Sequence, residues 1–259
     1  MTDEVVQFRT DGPVATITIN RPELRNAINP EVTSALSEAL DRAEANDSVM
    51  VAVLTGAGDK AFCAGGDLGA IGSEGAAAQH FLRAEVGELF EQMRKSRLPI
   101  VARVNGHALA GGFGLMLACD LVVARADAGM GTPEIDLGLW PFMITAVLQR
   151  DVPRKLALEL MLTGRRITAV EGERWGFVNR VVEVTELDDA VGELTESLAS
   201  KSPLITALGK RSFYRAESMD FDESLEYLAG MLTLCLQSED TAEGVSAFLQ
   251  KRAPEWKGR

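Results

Sequence analysis

Four glycines fall within the nine residues from 106 to 114, at Gly106, Gly111, Gly112 and Gly114, and the chain runs from them straight into the apolar sequence LMLACD. So dense a run does not suit a strand, and the apolar segment after it suits a buried helix. A glycine turn that opens a helix leaves backbone NH groups unpaired at the positive end of the helix dipole, a ready place for an oxygen that is or becomes negative. Twenty residues beyond Gly114, after Thr132 and Pro133, stands Glu134. A base delivered beside an oxyanion site is an arrangement for catalysis. Residues Lys60 to Ile71, KAFCAGGDLGAI, form a second glycine turn after a strand. That turn has two readings: a loop that buries Phe62, or the partner half of the same oxyanion site.

The elements that must position these residues alternate between strand and helix. Val14 to Ile19 alternates as VATITI, a half-buried strand ended by the turn residues Asn20, Arg21 and Pro22. Pro30 to Ala45 keeps helical spacing through Val32, Leu36, Ala39, Leu40 and Ala43. Val49 to Thr55 is a short apolar strand, so strand, helix and strand form a crossover unit. Gly69 to Ala78 is glycine-rich and reads as a mobile loop bordering a binding site. His80 to Ser96 returns to helix, Pro99 interrupts it, and Ile100 to Val104 is a strand leading into the glycine run. Pro153 to Leu162 is helical and closes at Gly164; Thr168 with Glu171 makes a capping box for a short helix closed by Gly176. After a last strand at Val178 to Val182, three helical stretches follow from Leu187, broken around Ser202, Pro203 and Asp220. The class is α/β, with a core over residues 1–200 and a helical region over 201–259.

The 259 residues are 46% hydrophobic, ample for a buried core, and 38 acidic against 26 basic residues give a net charge of −12. That balance disfavours nucleic acid and anionic membrane as partners. Cys63, Cys119 and Cys235 are widely spaced without a CxxC pair, and only His80 and His107 could join them, so neither a disulfide framework nor a metal site is indicated. No apolar run approaches the roughly 20 residues of a membrane span, and the start does not read as a signal peptide. A cytoplasmic location is expected.

Several blocks carry a resemblance. NRPELRNAI near the start, AFCAGGDL at 61–68, NGHALAGGFGLMLACDLVVA, PEIDLGLWP, LALELMLTGRRITAVEGERWGFVNRVV and the closing SAFLQKR occur in the order seen in the crotonase superfamily, the enoyl-CoA hydratase and isomerase family. The resemblance spans essentially the whole chain. It implies a spiral of ββα turns forming two nearly perpendicular sheets, a C-terminal helical trimerisation region, and a homotrimer or a hexamer built from two trimers. It also implies an acyl-CoA thioester as substrate, with no cofactor beyond the coenzyme A that the substrate carries.

In that family two backbone NH groups hold the thioester oxygen while it bears enolate charge. They map onto Gly66 and Gly111. Hydratases carry two glutamates that act together on water; here the first position is Gly114 and only the second, Glu134, remains. Hydration needs a base for water and an acid for the α carbon, whereas moving a double bond needs one proton taken and returned. The resemblance with this departure therefore favours an isomerase; other crotonase reactions (decarboxylation, retro-aldol cleavage, thioester hydrolysis) and a noncatalytic acyl-CoA-binding protein are the alternatives. Asp67 reads as a helix cap beside the donor, Glu85 and Glu88 as helix-face acids that could substitute for the missing one, Asp136 as structural and His107 as a packing or hydrogen-bonding group. The resemblance places the nucleotide and pantetheine along Leu24, Arg25, Ala64, Gly66, Asp67 and Leu68, and it lets Phe248 and Lys251 reach the nucleotide on a neighbouring subunit. Trp140, Phe142 and Met143 stand where hydratases have small residues, which should reshape or narrow the acyl pocket.

Overall fold

The computed structural model describes residues 4–70 and 76–259. Among the described residues ten strands fall into two sheets. The larger has the order β1-β2-β3-β5-β7-β10, formed by Val6–Asp11, Val14–Ile19, Val51–Gly56, Ile100–Val104, Leu121–Arg125 and Arg180–Val182. The smaller has the order β4-β6-β8-β9, formed by Ala61–Cys63, His107–Leu109, Gly129–Gly131 and Arg166–Thr168. Successive strand pairs divide between them: β3, β5 and β7 enter the large sheet, and β4, β6 and β8, each next in sequence, enter the small one. Helices α1 (Pro30–Glu44), α2 (Ala76–Lys95) and α3 (Gly111–Leu117) return the chain between these units, which is the expected ββα spiral.

All three central strands of the large sheet pair in parallel, as helical crossovers require, and only β1 joins β2 antiparallel. Every residue of β3 is buried, because both faces of the sheet are covered. Ala52 and Leu54 pack into the main core with Leu36, Leu40, Leu89 and Met93 from α1 and α2. Val51, Val53, Val101 and Val123 face Leu187, Ala190 and Val191 of α7 (Leu187–Ala199) on the other side.

Two buried amides hold the turns that carry the chain between the sheets. Asn105 donates to the carbonyls of Gly56 and Gly58 at 2.8 Å each and accepts from the Gly56 NH at 3.1 Å. Asn26 donates to the carbonyls of Ala57 and Ala61 at 3.0 and 2.8 Å and accepts from the Arg21 NH. Each would leave several buried backbone groups unpaired if replaced by an apolar residue.

The chain continues through α4 (Phe142–Asp151), α5 (Arg154–Thr163) and α6 (Ala169–Trp175), the last opened by the expected Thr168–Glu171 capping box and closed by left-handed Gly176. The C-terminal region is α8 (Pro203–Ala216), α9 (Phe221–Leu236) and α10 (Glu239–Gln250). With α7, this makes four helices after residue 187 where the sequence suggested three; the extra break is at Ser238, whose hydroxyl caps α10 by accepting from the Thr241 NH. One buried polar cluster joins α8 to the core. The Lys210 ammonium donates to the carbonyls of Met93 and Leu98 and pairs with Asp120 at 2.7 Å, and Tyr214 donates to the same carboxylate at 2.7 Å. Burial pushes the Lys210 pKa down, and Asp120 opposes that.

Other sequence expectations are corrected. Strand β1 and helix α4 were not anticipated. The glycine run contains the three-residue strand β6, and the helix begins at Gly111 itself rather than after Gly114. The KAFCAGGD turn likewise opens with β4, and Phe62 in it is fully buried, as the first of its readings expected. Residues 71–75 of the expected mobile loop at 69–78 lie outside the described residues; α2 is already in place at Ala76.

Candidate active site

The two glycine turns meet. Residues 64–67 are zipped to 25–28: the Ala64 NH donates to the Arg25 carbonyl, the Ile28 NH to the Gly65 carbonyl and the Asp67 NH to the Ile28 carbonyl. In this parallel bridge between Ile28 and Gly66 the bonds run through the neighbours of Gly66, so its own NH points away from the partner strand. Gly65 takes φ +101°, and a Cβ there would lie 2.6 Å from the Cβ of Ala110, so a side chain is excluded.

On the other side, Ala110 holds φ 52° and ψ −130°, a strained conformation for a residue with a Cβ, fixed in part by its NH donating to the Gly131 carbonyl at 2.9 Å. That turn makes Gly111 the first residue of α3, where its NH has no partner within the helix. A Cβ on Gly112 would overlap the carbonyl oxygen of Cys63, so the absence of a side chain lets α3 sit directly on the end of β4. A Cβ placed on Gly111 would lie 3.6 Å from the Gly66 nitrogen, which sets the two backbone amides side by side. Among the described residues neither NH donates to a protein acceptor. Two unpartnered backbone NH groups set this close could hold an oxygen that bears negative charge.

Glu134 sits on a 3-10 turn, Pro133–Leu137, three residues after the Gly131 carbonyl that holds Ala110. Its side chain is half-buried, and among the described residues its buried Oε2 has no hydrogen-bond partner. Burial raises the carboxyl pKa above the ordinary glutamate range, opposed in part by its own backbone NH. An unpartnered carboxylate with a raised pKa is suited to taking a proton. The neighbouring Thr132 hydroxyl is also buried and unpartnered.

Asp67 pairs with Arg21 at 2.9 Å and accepts from the Gly69 NH at 3.1 Å, which caps the 3-10 turn at 68–70 as expected. Asp136 is turned toward left-handed Gly164, where a Cβ would lie 2.9 Å from its Oδ2. Glu85 is half-buried on α2 and Glu88 is exposed. His107 accepts at Nδ1 from the Gly129 NH at 2.9 Å, so it bridges β6 and β8.

Arg25, in the left-handed conformation at φ 54°, and Ala64 line a cavity of about 280 Å³ together with Lys60, His107, Leu109 and Arg166. Arg125 reaches the same cavity but is committed to Asp127, Asp59 and Asn105. The cations Lys60 and Arg166 were missed in the sequence, although both lie in the motif stretches KAFCAGGDL and TGRRIT; their convergence depends on the pairing of β4, β6, β8 and β9. Leu24 and Leu68 are exposed near the same turns. Trp140 packs partly buried against the main core, Met143 approaches Gly87 of α2, and Phe142 is exposed. Phe248 is 82% exposed, which excludes a core role within this chain, and Lys251 is the left-handed C-cap of α10; neither lines the cavity. Among the described residues no group of three His, Cys, Asp or Glu could hold a metal ion, and no helix is long and apolar enough to cross a membrane.

The sequence profile described as Enoyl-CoA hydratase/isomerase matches residues 9–259. Among similar proteins, the carnitinyl-CoA dehydratase of Proteus mirabilis is 36% identical over 259 residues, covering 98% of each chain, and that of Salmonella typhi is 37% identical over 261, covering 99% of each. Among solved structures, an enoyl-CoA hydratase of Mycobacterium smegmatis superposes with a TM-score of 0.94 at 34% identity, covering 97% of this chain and 98% of that one. One from Bacillus anthracis gives 0.93 at 31%, covering 98% and 100%. Similarity of this extent, over a fold in which two glycine turns converge, makes the chain an enzyme of the enoyl-CoA hydratase/isomerase family, within the crotonase superfamily.

Proposed function

We propose that this enzyme moves the double bond of an enoyl-CoA thioester, with Glu134 as the single proton carrier. Glu134 takes a proton from C2 of a 3-enoyl-CoA, the electrons pass into an enolate whose oxygen is held by the Gly66 and Gly111 NH groups, and the same carboxyl returns the proton to C4. The product is the conjugated 2-enoyl-CoA, and atoms and charge balance without water or a further cofactor. The observation that carries this reading over hydration is the pairing of one unpartnered carboxylate at 134 with a glycine at 114. In support, Asp67 is paired with Arg21.

Arg25, Lys60 and Arg166 around the 280 Å³ cavity suit the phosphates of the coenzyme A moiety. Assembly as a trimer, or a hexamer of two trimers, is supported by the apolar residues exposed on the C-terminal helices, including Phe213, Phe221, Leu232 and Phe248, and by an apolar groove of about 620 Å³ between α8 and α9.

A second reading, reversible addition of water, is favoured by the names of the relatives, which are called dehydratases. Absorbance of the conjugated thioester and mass spectrometry together separate the two. Incubation with a 3-enoyl-CoA should give a conjugated product of unchanged mass, and incubation with a trans-2-enoyl-CoA should give no gain of one water. A water adduct that Glu134→Gln abolishes would overturn the isomerase reading in favour of the second.

A further inference from the structure

Gly111 and Gly114 are three residues apart on α3, so they share one face and lie about 4.5 Å apart along its axis. A Cβ on the first would point toward the Gly66 nitrogen. A Cβ on the second would overlap Cγ2 of Ile144 and lie 2.5 Å from its Cβ. The volume just beyond the oxyanion hole, where a side chain from position 114 would stand, is therefore occupied by Ile144. That side chain is 3% exposed and belongs to the main core.

The backbone of α4 brings it there. Met143 meets α2 at a second glycine, Gly87, where a Cβ would lie 3.1 Å from the methionine methyl, so the first turn of α4 is seated in two notches made by missing side chains. Ile144 is β-branched and has little rotamer freedom in a helix, so it does not readily swing aside. A thioester whose oxygen accepted from the Gly66 and Gly111 NH groups would hold its first acyl carbons within reach of position 114, one helical turn away.

We propose that Ile144 is a specificity-determining residue: it plugs the acyl site one helical turn from the oxyanion hole, selecting compact, unbranched acyl groups and excluding any polar side chain from position 114. The proposal rests on the acyl-CoA site described above but not on which reaction occurs there. It is tested by binding, using the saturated thioesters butanoyl-CoA and 3-methylbutanoyl-CoA in titration calorimetry. In the native enzyme the unbranched thioester should bind more tightly. Ile144→Ala should shift the ratio of the two dissociation constants by about tenfold toward the branched one, the scale of a methyl-sized change in an apolar pocket. Ile144→Leu, which conserves volume and should fold in any event, lacks the Cγ2 that stands nearest position 114 and should shift the ratio in the same direction by about threefold.

Gly114→Glu should lower the unfolding temperature, and Ile144→Ala in the same chain should restore part of the loss, a coupling expected only if the two positions compete for one volume. A ratio unchanged within about twofold in folded Ile144→Ala and Ile144→Leu would overturn the proposal. So would Gly114→Glu as stable as the native protein. Failure of double-bond migration in the native enzyme, with the selectivity shift intact, would reject the isomerase reading and leave the plug standing.

Discussion

Replacing Glu134 by Gln removes a base and leaves the shape of the site almost unchanged. Oε2 has no hydrogen-bond partner among the described residues, so the substitution breaks no bond that holds the fold. If this carboxyl is the proton carrier, kcat should fall by about 10²- to 10⁴-fold, a barrier increase of about 3–5 kcal/mol, with acyl-CoA affinity little changed. The assay is the absorbance of the conjugated thioester formed from 3-enoyl-CoA, measured across pH. Because burial raises the pKa of Glu134, the acid limb of kcat/KM should lie above the ordinary glutamate range.

The same shift makes a stability prediction. A group whose folded pKa is raised contributes stability that is complete below its unfolded pKa and is lost as pH rises through the folded value. Native enzyme and Glu134→Gln should therefore melt alike near pH ~4, and the variant should become the more stable of the two toward neutral pH. Retention of more than about a tenth of kcat, or an acid limb that persists in the variant, would refute the role of Glu134. A melting difference that shrinks as pH rises would refute burial as the cause of the shift.

Gly111→Ala should fold normally, since its Cβ meets only ordinary contacts, yet that methyl would stand 3.6 Å from the Gly66 nitrogen, in the mouth of the hole. Its kcat/KM should drop about 100-fold or more while its urea midpoint is unchanged. Asp120→Asn leaves the Lys210 ammonium buried beside a neutral amide and should destabilise the fold by about 3–5 kcal/mol in urea titration. In the assembled protein, Lys251→Ala should raise KM about tenfold for an acyl-CoA and leave it unchanged for the matching acyl-pantetheine, which lacks the nucleotide phosphates. Light scattering should give the mass of a trimer or its double.

Elements whose pattern reflects a single buried face were legible in the sequence. Strand β2 alternates buried and half-buried residues along its whole length, and α1 buries the expected Val32, Leu36, Ala39, Leu40 and Ala43. Cap chemistry was equally plain at Thr168, Gly164 and Gly176. The missed elements lack such a signal. Strand β1 buries only Val6 among six residues and is held by its antiparallel pairing with β2. Helix α4 opens with Phe142 and Met143 turned partly to solvent and contains Ile144, Thr145 and Val147, whose β-branched side chains do not favour helix. Strands β4, β6 and β8 have three residues each, too few for any period to register.

For the candidate site, Gly66, Gly111 and Glu134 were named through a resemblance of ordered motifs, and the residue types alone said only that an anion and a base could meet. That Arg166 comes to the cavity of Arg25, or Ile144 to Gly114, depends on sheet order and helix seating, which adjacent residues do not encode.

The Lys210–Asp120 pair has a temporal consequence. Asp120 lies at the end of the α3 segment, just before β7, and its carboxylate also accepts from the Ile100 NH at the start of β5. The cation that balances it is translated about 90 residues later, roughly 5–20 s at ordinary rates of synthesis. Until α8 emerges, a growing chain has both sheets in hand but carries an uncompensated charge where its central strands begin. Final consolidation of the catalytic half thus waits on its own tail, and nascent chains arrested near residue 200 should be cut by protease where chains arrested past residue 216, once clear of the ribosome, resist.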